Sequence, residues 1–282
     1  MDPRGKPEDD ETGYMSTAET YSNTLRVTFN HLAQQHPELL PIAIVHARRN
    51  LSERIRLHYA NTIGHGPFKG LKLVEDAHWG SADLGGMILG LYEQEILNEL
   101  AGLGRKPRSF IDLGAADGYY GLGVLAGELF EKSYCFEITE KGREVIARNT
   151  ELNGLQDRVT ILGEAKPDFF KEIAADDLED ALLLVDVEGA EFDIINAETF
   201  KAFAKSTVII EVHEWYPDIQ DKLQRLLQQS AATHVARRFS TGARDLSGFP
   251  ELKVITDNER WLLCSEGRPY LMSWYRFDPR AG

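Results

Sequence analysis

The chain has 282 residues, 43% of them hydrophobic, and 31 Lys and Arg against 45 Asp and Glu give a formal net charge of −14. This length predicts one large domain, or one domain with an added subdomain, around a sizeable core. The acidic balance argues against a nucleic-acid partner, because binding to phosphates depends on clustered Lys and Arg. The two cysteines, Cys135 and Cys264, exclude a disulfide framework or a CxxC zinc site. No apolar run approaches the ~20 residues of a membrane span and the polar start lacks a signal-peptide core, so we expect a cytoplasmic protein.

The first third of the chain predicts a helical extension. Residues 1–15 are polar and acidic, which is typical of a disordered tail. The elements predicted after the tail are a helix from about Ser16 to Gln35, one or two helices between Pro37 and Ile63, a Gly-rich segment from Gly66 to Gly86, and a helix from Met87 to Gly104. The Gly-rich segment has no sustained period, and we interpret it as a strand pair or a structured loop that serves as a lid. Together these elements form an extension over residues 16–104.

Residues 105–282 predict an α/β domain. Short apolar runs alternate with helix-like segments, a pattern typical of a parallel sheet covered on both faces. The predicted strands begin at Ser109, Ser133, Arg158, Ala181 and Ser206, and the predicted helices begin near Gly118, Thr139, Asp168, Ala190 and Pro217. Two further strands, from Thr233 and from Arg260, are expected to form an antiparallel hairpin at the sheet edge.

The segment FIDLGAADGYYG, from Phe110 to Gly121, is the most informative motif. A strand ends in a turn of small residues, spaced Gly114-x-Ala116-x-Gly118, and a helix begins. Free backbone N–H groups and a positive helix end therefore face one crevice. The flanking carboxylates, Asp112 and Asp117, would repel a phosphate but suit the ammonium and sulfonium groups of S-adenosylmethionine. The missing G-x-G-x-x-G disfavours a nicotinamide oxidoreductase.

The ends of the second and third predicted strands add further candidate cofactor contacts. The second strand ends in Glu137, where a doubly wound sheet places the carboxylate that accepts both hydroxyls of a ribose. Ile138 would then lie against the adenine. We also include Glu164, at the end of the third strand, and Tyr119, at the start of the first helix.

A cluster of acids and one histidine follows the fourth and fifth predicted strands. Asp186, Glu188 and Glu191 stand in VDVEGAEFDII, and Glu211 and His213 stand in VIIEVHEW. Because the two strands are neighbours in a sheet of the usual order, all of these except Glu191 should converge on one pocket rim. For Glu191 we favour a solvated charge or a charge at a helix N-terminus.

At these motifs the chain resembles the FkbM-like branch of class I S-adenosylmethionine-dependent methyltransferases. The matching residues are IDLGAADGYYG from Ile111, Glu137, DVEGAE from Asp186 and IIEVHEW from Ile209. The segments GPFKGL, YEQE and RPYLMSW are similar to those of bacterial relatives, and Glu93 of YEQE joins the predicted cofactor contacts. The resemblance implies a doubly wound, Rossmann-like sheet of seven mostly parallel strands with an antiparallel C-terminal strand. Residues 105–282 would be the S-adenosylmethionine-binding domain, although Ala115 and Ala116 stand where a second Gly is frequent.

The resemblance also implies methyl transfer to oxygen, often on sugars or secondary metabolites. The acceptor is then a small-molecule hydroxyl, which must be held about 3 Å from the methyl carbon and lose its proton. We prefer His213 as the base, oriented by Glu211 or Asp186. The less favoured alternative is a divalent metal ion held by Asp186, Glu188 and His213. Other hypotheses are an inactive S-adenosylmethionine-binding scaffold and an N- or C-methyltransferase acting on a protein or another acceptor, and the oligomeric state stays open.

Overall fold

The computed structural model describes residues 27, 31, 34–76, 79–268 and 270–280. The predicted acidic tail and most of the predicted first helix lie outside these residues. The chain divides into two compact units, Met1–Ala47 and Arg48–Gly282. In the first unit the described residues form a 3₁₀ turn at Pro37–Leu39 and the start of helix α1, Leu40–His58. Among the described helices, none combines the length and the apolar character that crossing a bilayer requires.

The second unit is built on a seven-stranded sheet. Its strands are β1 (Ser109–Leu113), β2 (Lys132–Phe136), β3 (Val159–Leu162), β4 (Ala181–Val185), β5 (Thr207–Val212), β6 (His234–Ser240) and β7 (Ser273–Pro279). The strand order is β3-β2-β1-β4-β5-β7-β6. The first five strands pair in parallel, whereas β7 is antiparallel to both β5 and β6. The predicted Rossmann-like, mostly parallel sheet with an antiparallel C-terminal strand is therefore confirmed.

Short helices precede the first strand and connect the later ones. After α1 they are α2 (Leu84–Ile88), α3 (Gln94–Ala101), α4 (Tyr119–Ala126), α5 (Glu140–Leu152), α6 (Ala175–Glu179), α7 (Glu191–Ile194), α8 (Ala197–Ala202), α9 (Ile219–Ser230) and α10 (Asp257–Cys264). Side chains at the N-termini of several helices cap the first turn and so fix where the helix begins. Thr139 caps α5 by accepting the Gly142 N–H at 3.0 Å, and Asn196 forms a capping box with Thr199 at α8.

The central strands are buried on both faces, which explains their unbroken apolar runs. Phe110, Leu182 and Ile209 belong to the core on one face of the sheet, and the residues that follow them, Ile111, Leu183 and Ile210, belong to the core on the other. Successive side chains of a strand point to opposite faces, so every position of such a strand must be apolar or paired. The parallel register also aligns the carboxyl ends of β1, β2, β4 and β5 along one edge.

The strand predicted from Arg260 is wrong. These residues lie in helix α10, which begins with a capping box in which Thr256 Oγ1 accepts the Glu259 N–H at 3.3 Å. The antiparallel partner of β6 is instead β7, which begins at Ser273. A short apolar run such as WLLC suits a helix as well as a strand, and here the cap decides.

The single helix predicted from Met87 to Gly104 is also wrong, because the structure breaks it between α2 and α3. Gly90 has φ 64° and Glu93 has φ 43°, both in the left-handed region. A Cβ on Gly90 would lie 2.9 Å from the His65 carbonyl oxygen, so the chain crosses closely there. Of the two forms expected for the Gly66–Gly86 segment, its described part is a structured loop up to the start of α2 at Leu84, with one isolated bridge from Lys72 to Thr62.

Candidate active site

One cavity of about 300 Å³ lies at the carboxyl ends of β1, β2 and β4. Gly114 and Ala116 follow β1, Glu137 follows β2, and Asp186 follows β4; all four line it. In the sheet order, β1 stands between β2 and β4, so the cavity lies where the chain reverses its direction of strand addition. This is the position at which doubly wound sheets bind their ligands.

The turn after β1 is tied to both neighbouring strands. The N–H groups of Gly114 and Ala115 donate to the Phe136 carbonyl oxygen at 3.0 and 2.9 Å. Gly114 has φ 88°, and a Cβ at this position would overlap the backbone carbonyl of Asp186. Gly118, with φ 83°, is the N-cap residue of α4. Glycine is therefore required at Gly114 both by conformation and by space.

Glu137 is a buried carboxylate that faces the cavity. Its Oε2 accepts the Ala116 N–H at 3.0 Å, while its Oε1 accepts the N–H and the hydroxyl of Thr139 at 2.8 and 2.7 Å. A carboxylate has about four acceptor positions, so this one retains capacity for ligand hydroxyls. Ile138 and Glu164 also line the cavity, and Ile138 is 66% exposed.

Four predicted cofactor residues do not line this cavity: Glu93, Asp112, Asp117 and Gly118. Asp112 is buried beneath α4, where its Oδ2 accepts the Gly121 N–H at 3.0 Å. Burial raises the pKa of Asp112 to about 8. Asp117 accepts the Trp79 N–H at 3.0 Å and lines a small adjoining cavity. Tyr119 lines both the small cavity and the larger one. Gly118 shapes the turn through its backbone.

His213 lies just after β5, between three carboxylates. Glu191 Oε1 lies 3.1 Å from its Nδ1 and accepts its backbone N–H at 3.1 Å. The Nε2 atom lies 3.5 Å from Glu188 Oε2 and 3.9 Å from Asp186 Oδ1. Burial lowers the pKa of His213, but Glu188 and Glu191 outweigh it and raise the pKa to about 9. Glu191 starts α7 as expected, yet the expectation of a solvated charge is wrong, because the side chain is fully buried.

The structure brings the side chains of Asp186, Glu188, Glu211 and His213 close together, as predicted, but only some of them reach the cavity. One ligand atom each of Asp186, Glu211 and His213 lie within 4.8 Å of one another. Asp186 and Glu188 line the cavity, whereas Glu211 and His213 are each 1% exposed and lie behind them. Burial raises the pKa of Asp186, and it raises that of Glu211 well above the ordinary value.

Arg268 is a component of this centre that sequence reasoning missed. Its guanidinium forms ion pairs with Glu93 and Glu211, and its Nε lies 3.2 Å from Glu266 Oε2. Glu93 therefore lies in the ion-pair network behind the cavity, where Tyr120 donates to it at 2.6 Å. Burial raises the pKa of Glu93 to about 7, although Arg268 opposes this. The only sequence signal was that Arg268 opens the segment RPYLMSW.

Aromatic side chains surround the rest of the site. Trp79, Tyr92 and Tyr119 line the cavity. Trp215 lies outside it, with its ring 4.9 Å from that of His213 and stacked on Tyr270 at 6.3 Å. The site thus combines a turn rich in backbone donors, a ribose-competent carboxylate, an acidic rim and flat apolar walls.

Comparison of the sequence with models of known protein families gives one match. A family model described as "Methyltransferase FkbM domain" matches residues 112–236. Residues 112–236 are similar to FkbM methyltransferase domains. The match runs from β1 into β6 and includes the Gly114 turn, Glu137, Asp186 and His213. It confirms the expected family and, with it, the expected methyl donor, S-adenosylmethionine.

Three solved structures illustrate how distant the similar folds are. TrmK of M. capricolum in complex with S-adenosylhomocysteine is 12% identical, with a TM-score of 0.40 over 64% of this chain and 66% of that chain. Precorrin-6y C5,15-methyltransferase of Geobacter metallireducens is 9% identical, with a TM-score of 0.42 over 63% and 83%. Spermidine synthase of Thermotoga maritima is 12% identical, with a TM-score of 0.43 over 62% and 55%. Comparison with curated proteins finds no significant match.

Proposed function

We propose that the FkbM-like domain transfers the methyl group of S-adenosylmethionine to a hydroxyl of a small molecule, such as a sugar or a secondary metabolite. The observation that carries this proposal is a single cavity bounded by the Gly114 turn and Glu137 on one side and by Asp186 and Glu188 on the other. A cofactor on the first side would direct its sulfonium toward the acidic rim.

The cofactor side has a group for each part of the donor. Glu137 accepts the ribose hydroxyls, and Ile138 covers the adenine. The turn from Gly114 to Ala116 receives the amino-acid end. The surrounding carboxylates favour a ligand that carries a sulfonium and an ammonium. Residues 105–282 form the catalytic domain in this proposal, and the extension over 16–104 contributes walls such as Trp79 and Tyr92.

Methyl transfer to a hydroxyl requires proton removal at the acidic rim. As the O–C bond forms, the C–S bond breaks, and its electron pair stays on sulfur to give S-adenosylhomocysteine. The hydroxyl proton passes to Asp186 or Glu188, which line the cavity. His213 is buried behind them, so it acts through these carboxylates, and Glu191 rather than Glu211 holds its ring. Asp186, Glu188 and His213 thus remain the proposed catalytic set.

The acceptor class separates this function from its alternatives. An N- or C-methyltransferase would use the same cofactor side, and an inactive scaffold would keep only cofactor binding. The net charge of −14 disfavours a nucleic-acid acceptor.

Calorimetry with S-adenosylhomocysteine and NAD, followed by methyl transfer to matched alcohols and amines, tests the proposal. We expect binding of S-adenosylhomocysteine only, and transfer to alcohols. Asp186→Asn should lower turnover by roughly 10² to 10⁴ with little change in cofactor affinity, and Glu179→Gln, at an exposed ion pair, serves as the control. Failure of the wild-type protein to bind S-adenosylhomocysteine would refute the proposal, and transfer to amines alone would exclude O-methylation.

A further inference from the structure

Asp186 and Glu211 each have one buried carboxylate oxygen at the acidic rim, Oδ1 and Oε2, without a hydrogen-bond donor among the residues that the structure describes. The other oxygen of Glu211 is held by Arg268. Two ionised carboxylates repel each other in a buried site, so a positive group, either a proton or a cation, must lie between them.

The orientation of His213 favours a cation. A fully buried carboxylate, Glu191, lies 3.1 Å from Nδ1, which fixes the proton on that nitrogen. A cation that displaced the Nε2 proton would then find the lone pair of this nitrogen 3.9 Å from Asp186 Oδ1. A carboxylate behind a histidine is the usual second partner of a metal-binding imidazole.

The local charge balance points the same way. Glu93 and Glu211 share the Arg268 guanidinium. Arg268 contacts both of them directly, whereas the ion-pair partner of Asp186 Oδ1 is the His213 ring, 3.9 Å away. A bound divalent cation would take the place of the Nε2 proton of His213 and bring more positive charge next to this oxygen.

We propose that Asp186, Glu211 and His213 bind a divalent transition-metal cation of the Mn²⁺ or Zn²⁺ type. A nitrogen ligand beside two carboxylates suits these ions better than Mg²⁺ or Ca²⁺. Ligands bonded to one ion at about 2.1 Å lie about 3 to 4 Å apart, in keeping with the 3.9 Å between the atoms of Asp186 and His213. Glu211 thus replaces Glu188, which is 63% exposed, in the ligand set expected from the sequence.

The role of the cation rests on the proposed function. Of the three ligands, Asp186 lines the cavity, so the open coordination positions face the acceptor. The acceptor hydroxyl would bind the cation and become more acidic. Its proton would pass to Glu188, and the oxygen would then attack the methyl carbon.

Titration of the full, chelator-treated chain with MnCl₂, followed by electron paramagnetic resonance of free Mn²⁺, tests the site without reference to turnover. Wild-type protein should bind one equivalent. Asp186→Asn and Glu211→Gln should each weaken binding about tenfold or more. Glu188→Gln and the exposed control Glu179→Gln should stay within about threefold. Calorimetry with S-adenosylhomocysteine checks folding of every variant, and Asp186→Asn keeps the test valid if Glu211→Gln does not fold.

The outcomes separate the two proposals. If the wild type binds S-adenosylhomocysteine but no Mn²⁺, a shared proton joins Asp186 and Glu211, and the metal site is refuted while the methyltransferase proposal stands. Loss of Mn²⁺ in Glu188→Gln without loss in Glu211→Gln would refute the ligand set. If Mn²⁺ binds as expected and S-adenosylhomocysteine does not, the metal site stands and the proposed function fails.

Discussion

Substitution of Gly114 by alanine would test the packing on which the cofactor side depends. The residue has φ 88°, and an added Cβ would overlap the Asp186 carbonyl, a backbone atom that cannot rotate away. Relief of this overlap must separate the ends of β1 and β4, which the Asp186 N–H joins to the Leu113 carbonyl at 2.9 Å. The substitution should therefore reduce both stability and cofactor binding.

The magnitude follows from two separable contributions. The left-handed conformation costs about 1 to 2 kcal/mol for a residue with a Cβ, and forcing an atom into filled space costs a further ~1 to 3 kcal/mol. We expect Gly114→Ala to lower the free energy of unfolding by about 2 to 5 kcal/mol. Gly154→Ala should show only the first cost, because Gly154 has φ 66° and open space around its Cβ position. Gly163 has open space and no positive φ, so Gly163→Ala should be near neutral.

Urea unfolding of the wild type and the three variants measures these free energies, and calorimetry with S-adenosylhomocysteine measures cofactor affinity. The reasoning is refuted if Gly114→Ala costs no more than Gly154→Ala, or if it binds the cofactor product as tightly as the wild type does. A cost in Gly163→Ala as large as that in Gly154→Ala would show that φ is not the cause.

Further predictions concern charged groups. Glu137→Ala should weaken binding of S-adenosylmethionine about tenfold or more in calorimetry, because one charge-assisted contact is lost; unchanged affinity would contradict the ribose assignment. Arg268→Gln should lower the free energy of unfolding by ~3 to 5 kcal/mol, since it leaves buried carboxylates without their cation, whereas Arg54→Gln, at an exposed pair, should cost under ~1 kcal/mol. Equal losses in urea would refute that difference. Burial raises the pKa of Asp112 to about 8 from an ordinary 3.8, so its protonated form favours the folded state; the stability it contributes is lost as pH rises from about 4 to 8. Asp112→Asn should therefore flatten the decline in stability between pH 5 and pH 8, and an unchanged slope would show that Asp112 does not cause it.

The central sheet was predictable because strands buried on both faces are continuous runs of apolar residues. The four central parallel strands β1, β2, β4 and β5 are buried and appear as apolar runs, and the observed starts of all five parallel strands lie within a residue of those predicted. Periodicity could not identify α10, whose apolar run is short, nor the break at Gly90, which depends on a backbone crossing with Gly66.

In the candidate site, too, some residues were predictable from the sequence and others only from the tertiary structure. The sequence by itself determined the groups carried by strand ends, such as Gly114, Glu137 and Asp186, because parallel strands bring their carboxyl ends to one edge whatever the loops do. Tertiary structure alone decided that Arg268 pairs with Glu93, 175 positions away in the chain, and that Glu191 is buried against His213. The partner of a buried charge is set by which side chains the packed core brings within a few ångströms, and no local pattern records that distance.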